Sequence, residues 1–320
     1  MAGVSVSTAS RALSDHSRVS SKTKARIREL AAEHGFRLNQ TASALRRQRT
    51  GAIGVVIPLG HEVDQSLSDP FFMGLLGPLA DALATAGYDL LLSRVIPQGD
   101  GWLDDIVAAG RVDGVILIGQ SDQTATIEAV AGRFVPLVVW GAHRPDMVQV
   151  TVGTDNRAGG ALAARHLTAI GRRRLAFLGD PGVPEFADRH AGFRAVIDAT
   201  PGVTQTVLPL HQTARDAYDE AARFLASSPP PDGIFAASDV IAMSAMRAAA
   251  DRDLRVPHDI AVVGFDDIGV AAHVVPPLTT IRQDVQRGAR TLVELLVRRI
   301  AGEPAASVTM PPELILRSSA

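Results

Sequence analysis

The stretch Ile53-Gly54-Val55-Val56-Ile57-Pro58 decides the fold. It is a short unbroken apolar run, rich in β-branched residues and closed by proline, the signature of a strand buried on both faces. The segment after it has a different period: Leu75, Leu76, Leu79 and Leu83 recur at helical spacing. The alternation then repeats. Further strands are expected at Tyr88–Leu92, Gly114–Ile118, Leu137–Trp140, Leu175–Leu178, Thr204–Leu208, Gly233–Ala236 and Ile260–Gly264, and a helical pattern runs through Ala158, Leu162, Ala163, His166 and Leu167. Continuous apolar strands separated by amphipathic helices indicate parallel sheets covered on both sides. Roughly eight such units are too many for one sheet of five or six strands, so the expectation is two doubly wound parallel sheets in tandem. A break falls at Gly153-Thr154-Asp155-Asn156, where an Asp/Asn N-cap opens a new helix.

Charge separates the first fifty residues from this α/β body. They hold ten Lys or Arg against three acids, a net charge of +7, and include both lysines of the chain. The remainder carries twenty-two basic and thirty-one acidic residues, a net −9. A cationic head on an acidic body points to a polyanion-binding module; a solvated charged helix is the bland alternative. Composition narrows the class further. At 46% hydrophobic and 21% charged residues, the 320-residue chain is globular. It contains no cysteine, which excludes a disulfide scaffold, thiol catalysis and a Cys-ligated metal. No apolar run approaches the ~18 residues of a membrane span. The opening residues lack the layout of an export signal, so a cytoplasmic protein is expected.

Within the head, Ser5 can cap a short helix from Val6 to Leu13. Ala9, Ala12 and Leu13 then face a small core, while Val6, Ser7, Ser10 and Arg11 point away together. A second helix can start at Ser20 or Ser21 and stop at Gly35, with Ile27, Leu30, Ala31 and His34 on one face and Lys22, Arg26 and Arg28 off it. Small polar residues at a helix start, with Arg one turn on, suit a major groove: Arg11 can pair with guanine and the hydroxyls can reach base or phosphate.

The run Ala2-Gly3-Val4-Ser5-Val6-Ser7-Thr8-Ala9-Ser10-Arg11-Ala12-Leu13 resembles the turn and recognition helix of the LacI/GalR family of bacterial transcription repressors. The similarity continues through Val19–Ile27, Gly35–Asn39, Ala42-Ser43-Ala44-Leu45 and Thr50–Pro58. It extends through Asp69-Pro70-Phe71-Phe72, Asp113–Ile116, Asp155-Asn156, Asp188–Phe193, Val256–Ile260, Gly264-Phe265-Asp266-Asp267, Pro277–Ile281 and Pro312–Arg317. The resemblance implies a helix-turn-helix DNA-binding head over residues 1–38, a hinge helix over 39–50, and a two-lobed body like periplasmic binding proteins. It implies an N-terminal lobe from 51–153 and 285–312, and a C-terminal lobe from 154–284 and 313–320. By the same resemblance Val6, Ser7, Ser10 and Arg11 contact DNA, Leu45 wedges into a minor-groove step, and Arg46 and Arg47 touch phosphates beside it, as does Arg49. The implied partners are a near-palindromic operator and a second copy of the chain, since two-fold symmetry demands matching half-sites. The sequence departs from the family at its start, where most of the first helix is absent and weak operator binding is expected. It also has Leu38 in place of a usual proline and Ser14 in place of a common asparagine.

Parallel sheets bind ligands outside the carboxyl ends of their strands. Arg189, expected to follow a loop after Leu175–Leu178, can fork onto hydroxyls or an anion, although Asp188 or another acid offers it a purely structural pairing. Asp266 can accept hydrogen bonds from sugar hydroxyls, and Phe71 and Phe72 can stack on an apolar ring face, one of the two being expected to reach ligand. Trp140, Ser238 and Asp239 complete the candidate effector set. The expected effector is a small molecule, a sugar or sugar derivative, with no cofactor and no metal site. No nucleophile elbow, P-loop or H-E-x-x-H is present, and Asp266 and Asp267, being adjacent, should diverge instead of forming an acid/base pair, so no enzymatic activity is expected. A sugar-binding protein of a transporter explains residues 53–320 but not the cationic head.

Overall fold

The computed structural model describes residues 3–13, 17–34, 49–59, 66–120, 122–210, 213–226 and 229–320. The expected wedge Leu45, its neighbours Arg46 and Arg47, and the helix stop at Gly35 lie outside these residues. The chain divides into two compact units, Met1–Gly51 and Ala52–Ala320. Among the described residues no helix is long and apolar enough to cross a membrane.

The first unit contains helices α1 (Val6–Leu13) and α2 (Ser21–Glu33). Ser5 caps α1, its Oγ accepting the Thr8 N–H at 3.2 Å, and Ser20 caps α2 by accepting the Thr23 N–H at 3.3 Å. Each cap satisfies one backbone donor that a helix start leaves without an internal partner. Ala12 and Ile27 are buried, with Ala9, Leu13, Leu30 and Ala31 half-buried around them. His34, expected on the apolar face, is exposed: it is the C-cap residue, where the helix has already ended.

The second unit is built on two six-stranded sheets. In chain order the first half gives β1 (Ala52–Pro58), α3 (Pro70–Thr85), β2 (Asp89–Val95), α4 (Trp102–Ala108), β3 (Gly114–Ile118), α5 (Thr124–Ala131), β4 (Leu137–Trp140) and β5 (Val150–Thr154). The second half gives α6 (Asn156–Ala169), β6 (Arg174–Leu178), α7 (Pro184–Asp198), β7 (Thr204–Leu208), α8 (Ala214–Leu225), β8 (Gly233–Ala236), α9 (Asp239–Ala250), β9 (Ala261–Asp266) and β10 (Thr279–Arg282). Helix α10 (Val285–Ile300) then leads to β11 (Val308–Met310) and β12 (Glu313–Ile315).

The sheets run β11-β5-β4-β3-β1-β2 and β12-β10-β9-β8-β6-β7. Each therefore repeats one doubly wound order, with its third strand beside its first. All pairings are parallel except β10 with β12. The strand β1 shows why its sequence is apolar throughout. Ile53, Val55 and Ile57 pack with Leu75, Leu79, Leu83, Leu292 and Leu296 on one face, while Val56 packs with Val115, Leu117, Val139 and Leu103 on the other. The second sheet is centred on Phe177, Phe193, Phe235 and Phe265, whose rings lie 5.2 to 6.5 Å apart, within aromatic contact range.

Four strands did not announce themselves in the sequence: β5, β10, β11 and β12. The first reads Val-Thr-Val-Gly-Thr, the second Thr-Thr-Ile-Arg, and the last two have three residues each. Their places in the sheets come from pairing with neighbouring strands, not from a local apolar run.

Candidate functional site

In the head, Val6 is 86% exposed, an unusual state for a valine on the first turn of a helix. Ser7 and Arg11 are exposed as well, on the side away from buried Ala12. The Ser7 hydroxyl shares a 2.9 Å hydrogen bond with the Ser5 hydroxyl. Ser10 lies in the same helix. An exposed apolar contact, hydroxyls and a guanidinium thus crowd one short helix, a set that can meet a thymine methyl, a phosphate and a guanine edge.

In the body, a cleft of about 880 Å³, its solvent-open mouth included, lies where the strands of both sheets end. From the first sheet come Pro58 and Leu59 at the end of β1, Ile118 and Gly119 at the end of β3, Trp140 and Gly141 at the end of β4, and Gly153 and Thr154 closing β5. From the second come Glu185, Phe186 and Arg189 of α7, Ser238 after β8, Asp266 ending β9 and Gln283 following β10. Strand carboxyl ends are where a doubly wound fold leaves its loops free to diverge and its backbone open to a ligand.

Arg189 lies in α7, beyond the loop that follows β6, and it is 5% exposed. The helices α6 and α7 cross so closely that a Cβ on Gly160 would lie 1.9 Å from the Arg189 carbonyl oxygen, and one on Gly192 would lie 1.8 Å from that of Arg157. This backbone contact fixes where the arginine leaves its helix. Its Nε donates to Asn156 Oδ1 at 2.8 Å and its Nη1 donates to the Ala237 carbonyl. The guanidinium carbon stacks 3.7 Å from the centre of the Phe265 ring and 5.2 Å from that of Phe186. Asp188 does not hold it; that carboxylate pairs with Arg144 at 3.6 Å. Burial lowers the Arg189 guanidinium from its ordinary value, and the Asp266 carboxylate opposes that shift.

Asp266 faces Arg189 with 3.9 Å between Oδ1 and Nη1, and its Oδ1 accepts the Gln283 Nε2–H at 2.7 Å. Burial pushes its carboxyl up to about 7; Arg189 and Gln283 pull the other way, and Asp69 adds to the rise. Asp267 turns elsewhere, held by Arg317 at 2.6 Å and Arg282 at 2.7 Å, so the adjacent carboxylates diverge as expected. The first lobe supplies apolar surface. Trp140 is buried, its indole seated on Gly288 of α10, where a Cβ would come within 2.2 Å of the ring. Phe71 lies 6.1 Å from Trp140 and 6.0 Å from Phe72. Both phenylalanines line the cleft, and Phe72 also belongs to the first-lobe core. Ser238 lines it too while capping α9, its Oγ accepting the Ile241 N–H at 3.3 Å.

Asp239 corrects the expectation. It is fully buried and does not line the cleft, because its carboxylate points back into the second lobe, accepting from the Ile268 N–H at 2.9 Å and from Thr280 Oγ1 at 2.5 Å. Several cleft residues escaped the sequence reading: Asp69, Thr154, Asn156, Glu185 and Gln283. Asp69 and Asn156 stood inside noticed motifs, but Asp69 reads as the N-cap of α3, accepting the Phe71 N–H at 2.9 Å. Thr154 Oγ1 and Glu185 Oε1 are buried without a hydrogen-bond partner. Buried polar atoms rarely go unmatched, so unmatched ones at a cleft wall are where a ligand group or water belongs. A stacked cation, carboxylates, amides and a tryptophan around one cavity can bind a ring that carries hydroxyls on its edge and an apolar face.

Comparison with known proteins agrees with this geometry. Residues 1–39 match the family described as "Bacterial regulatory proteins, lacI family", and residues 164–320 match the "Periplasmic binding protein-like domain". The HTH-type transcriptional regulator CelR of Thermobifida fusca is 31% identical over 99% of this chain and 94% of its own length. Among solved structures, a transcriptional regulator CelR–cellobiose complex is 30% identical with a TM-score of 0.74, covering 100% of this chain and 97% of that one. The lac repressor dimer bound to operator and the anti-inducer ONPF is 25% identical with a TM-score of 0.86, covering 99% of this chain and 96% of that one. The chain is therefore a member of the LacI family of bacterial transcriptional regulators, with a helix-turn-helix head and a two-lobed body of the periplasmic-binding-protein-like type.

Proposed function

We propose that this regulator represses transcription by binding a near-palindromic operator as a homodimer, and that a neutral sugar or sugar derivative in the cleft governs that binding. The observation that carries the reading is the convergence of stacked Arg189, Asp266 with its Gln283 donor, and the Trp140 and Phe71 rings on one cavity. Alternating polar forks and aromatic faces match the two surfaces of a sugar ring. That a related regulator is described with cellobiose and another with operator supports both halves of the reading. Val6, Ser7, Ser10 and Arg11 would meet base edges, with Leu45, Arg46 and Arg47 at the centre of the operator. Phe71, Phe72, Trp140, Arg189, Ser238 and Asp266 would meet the effector. Homodimer formation is supported by apolar surface left exposed at Met73, Leu91, Leu92 and Ile96 on and beside α3 and β2. Working on operator DNA places the protein in the bacterial cytoplasm.

A ligand held by both lobes shifts their relative angle only as far as it prefers one arrangement over the other. Thermal-shift screening with cellobiose, ribose, glucose and galactose, followed by operator binding with each hit, tests the reading. A sugar should raise the melting temperature and change operator affinity by at least about fivefold, within the usual coupling range. Stabilisation with no change in operator affinity would leave a binding protein and not a sugar-controlled repressor.

A further inference from the structure

We propose that Asp239, buried behind the cleft, is a positioning residue: it sets Asp266 in place for the effector by tying the start of α9 to the turn between β9 and β10. The inference rests on the reading of the cleft as the effector site.

The two groups that Asp239 holds bracket Asp266. Ile268, whose N–H bonds Oδ2 at 2.9 Å, lies two residues beyond it. Thr280, whose hydroxyl bonds Oδ1 at 2.5 Å, stands opposite Gly264 in the β9–β10 ladder, where Arg282 stands opposite Asp266. Between these anchors the chain takes a costly path. Asp266 has φ +117° and Asp267 has φ +58°. Backbone of this kind is costly for residues that carry a side chain and persists only where surroundings over-determine it. Arg282 and Arg317 grip Asp267 from one side, and Asp239 grips Ile268 from the other. The slot for the carboxylate is kept open by glycine, since a Cβ on Gly264 would lie 2.2 Å from Asp239 Oδ1. The residue before Asp239 is Ser238, itself a cleft residue. One buried side chain therefore sets the registration of two cleft walls.

Among the described residues Asp239 forms no ion pair, and both its partners are neutral donors. Burial raises its carboxyl well above the ordinary value, which agrees with a hydrogen-bonding role that does not depend on charge. Asparagine can fill it: the amide oxygen can accept from Ile268 and the amide nitrogen can donate to the Thr280 oxygen.

Amide hydrogen exchange on the full-length chain, wild type against Asp239→Asn, Asp239→Ala and Thr280→Val, tests this. In Asp239→Ala, exchange at Ile268 should quicken at least tenfold relative to amides of β6 and β8, and Asp239→Asn should stay within threefold of wild type. Thr280→Val removes one of the two bonds while keeping the shape, and should give the same pattern at smaller size even if Asp239→Ala fails to fold. For the sugar that gives the largest thermal shift, affinity should fall at least tenfold in Asp239→Ala and less than threefold in Asp239→Asn. Exchange that quickens uniformly across the second lobe overturns the proposal, as does an unchanged Ile268 or an asparagine variant as damaged as the alanine one. If no sugar binds, the effector reading falls, and the exchange pattern still decides whether Asp239 holds the turn.

Discussion

Arg189 shows how much of this cleft hangs on the shape of one side chain. Its planar group makes two hydrogen bonds, stacks on Phe265 and faces Asp266. Lysine keeps the charge but has neither the flat fork nor the stacking face. Arg189→Lys should therefore weaken effector binding at least about tenfold, roughly 1.4 kcal/mol, by isothermal titration; retained affinity would show that charge alone suffices. Asp266 makes a second prediction, in pH. Its carboxyl is pushed up to about 7 in the folded chain and titrates near 3.8 when unfolded. The folded state thus holds this proton more tightly, a stabilisation present in full below about 4 and lost as pH climbs toward about 7. The denaturation midpoint of the effector-free protein should fall across that window, and Asp266→Asn should make the fall shallower. An identical slope in the variant would mean that Asp266 is not responsible.

At the level of elements, the crossing of α6 and α7 is the critical joint. Gly160 and Gly192 let the two backbones touch, and the atom that Gly160 meets belongs to Arg189. Gly160→Ala gains helix propensity yet must push the helices apart, a change that in a packed interior costs about 1–3 kcal/mol. Chemical denaturation should show that loss, with effector affinity reduced alongside it because Arg189 moves. A more stable Gly160→Ala protein would mean the crossing is looser than its geometry. The capping chemistry of the head is simpler and was readable directly. Ser5 and Ser20 accept the hydrogen bonds that their positions before the two helices require, and Asp155 does the same for α6, accepting the Ala158 N–H at 2.8 Å.

For the whole molecule, the charge division makes the head an electrostatic anchor. Operator affinity should fall with salt at a log–log slope of about −0.9 per phosphate contacted. Arg46→Gln should flatten that slope by about one contact, whereas Leu45→Ala should lower affinity and leave the slope nearly unchanged, since a wedge acts by unstacking bases. Filter-binding titrations from low to high salt separate the two; a Leu45→Ala protein with wild-type affinity would remove the wedge from the account.

The sequence by itself determined the class of this protein. Period and burial agree along β1, β3, β4 and β8 because a strand covered on both faces must be apolar at every position. The family resemblance named Arg189 and Asp266 as candidates, and in the structure the two stand 3.9 Å apart on the same wall of the cleft. The tertiary structure alone decided the rest. Short strands such as β11 and β12 exist because a sheet edge waits for them, with no local signal to speak of. Gln283 and Glu185 became cleft residues only when the ends of distant strands and helices met. Asp239 stands next to the cleft residue Ser238 in the chain, yet its carboxylate turns into the lobe, toward Ile268 and Thr280, which lie far from it in sequence. Local pattern encodes what each segment must bury; which polar groups finally share a cavity depends on contacts between residues far apart in sequence, and these have no period to read.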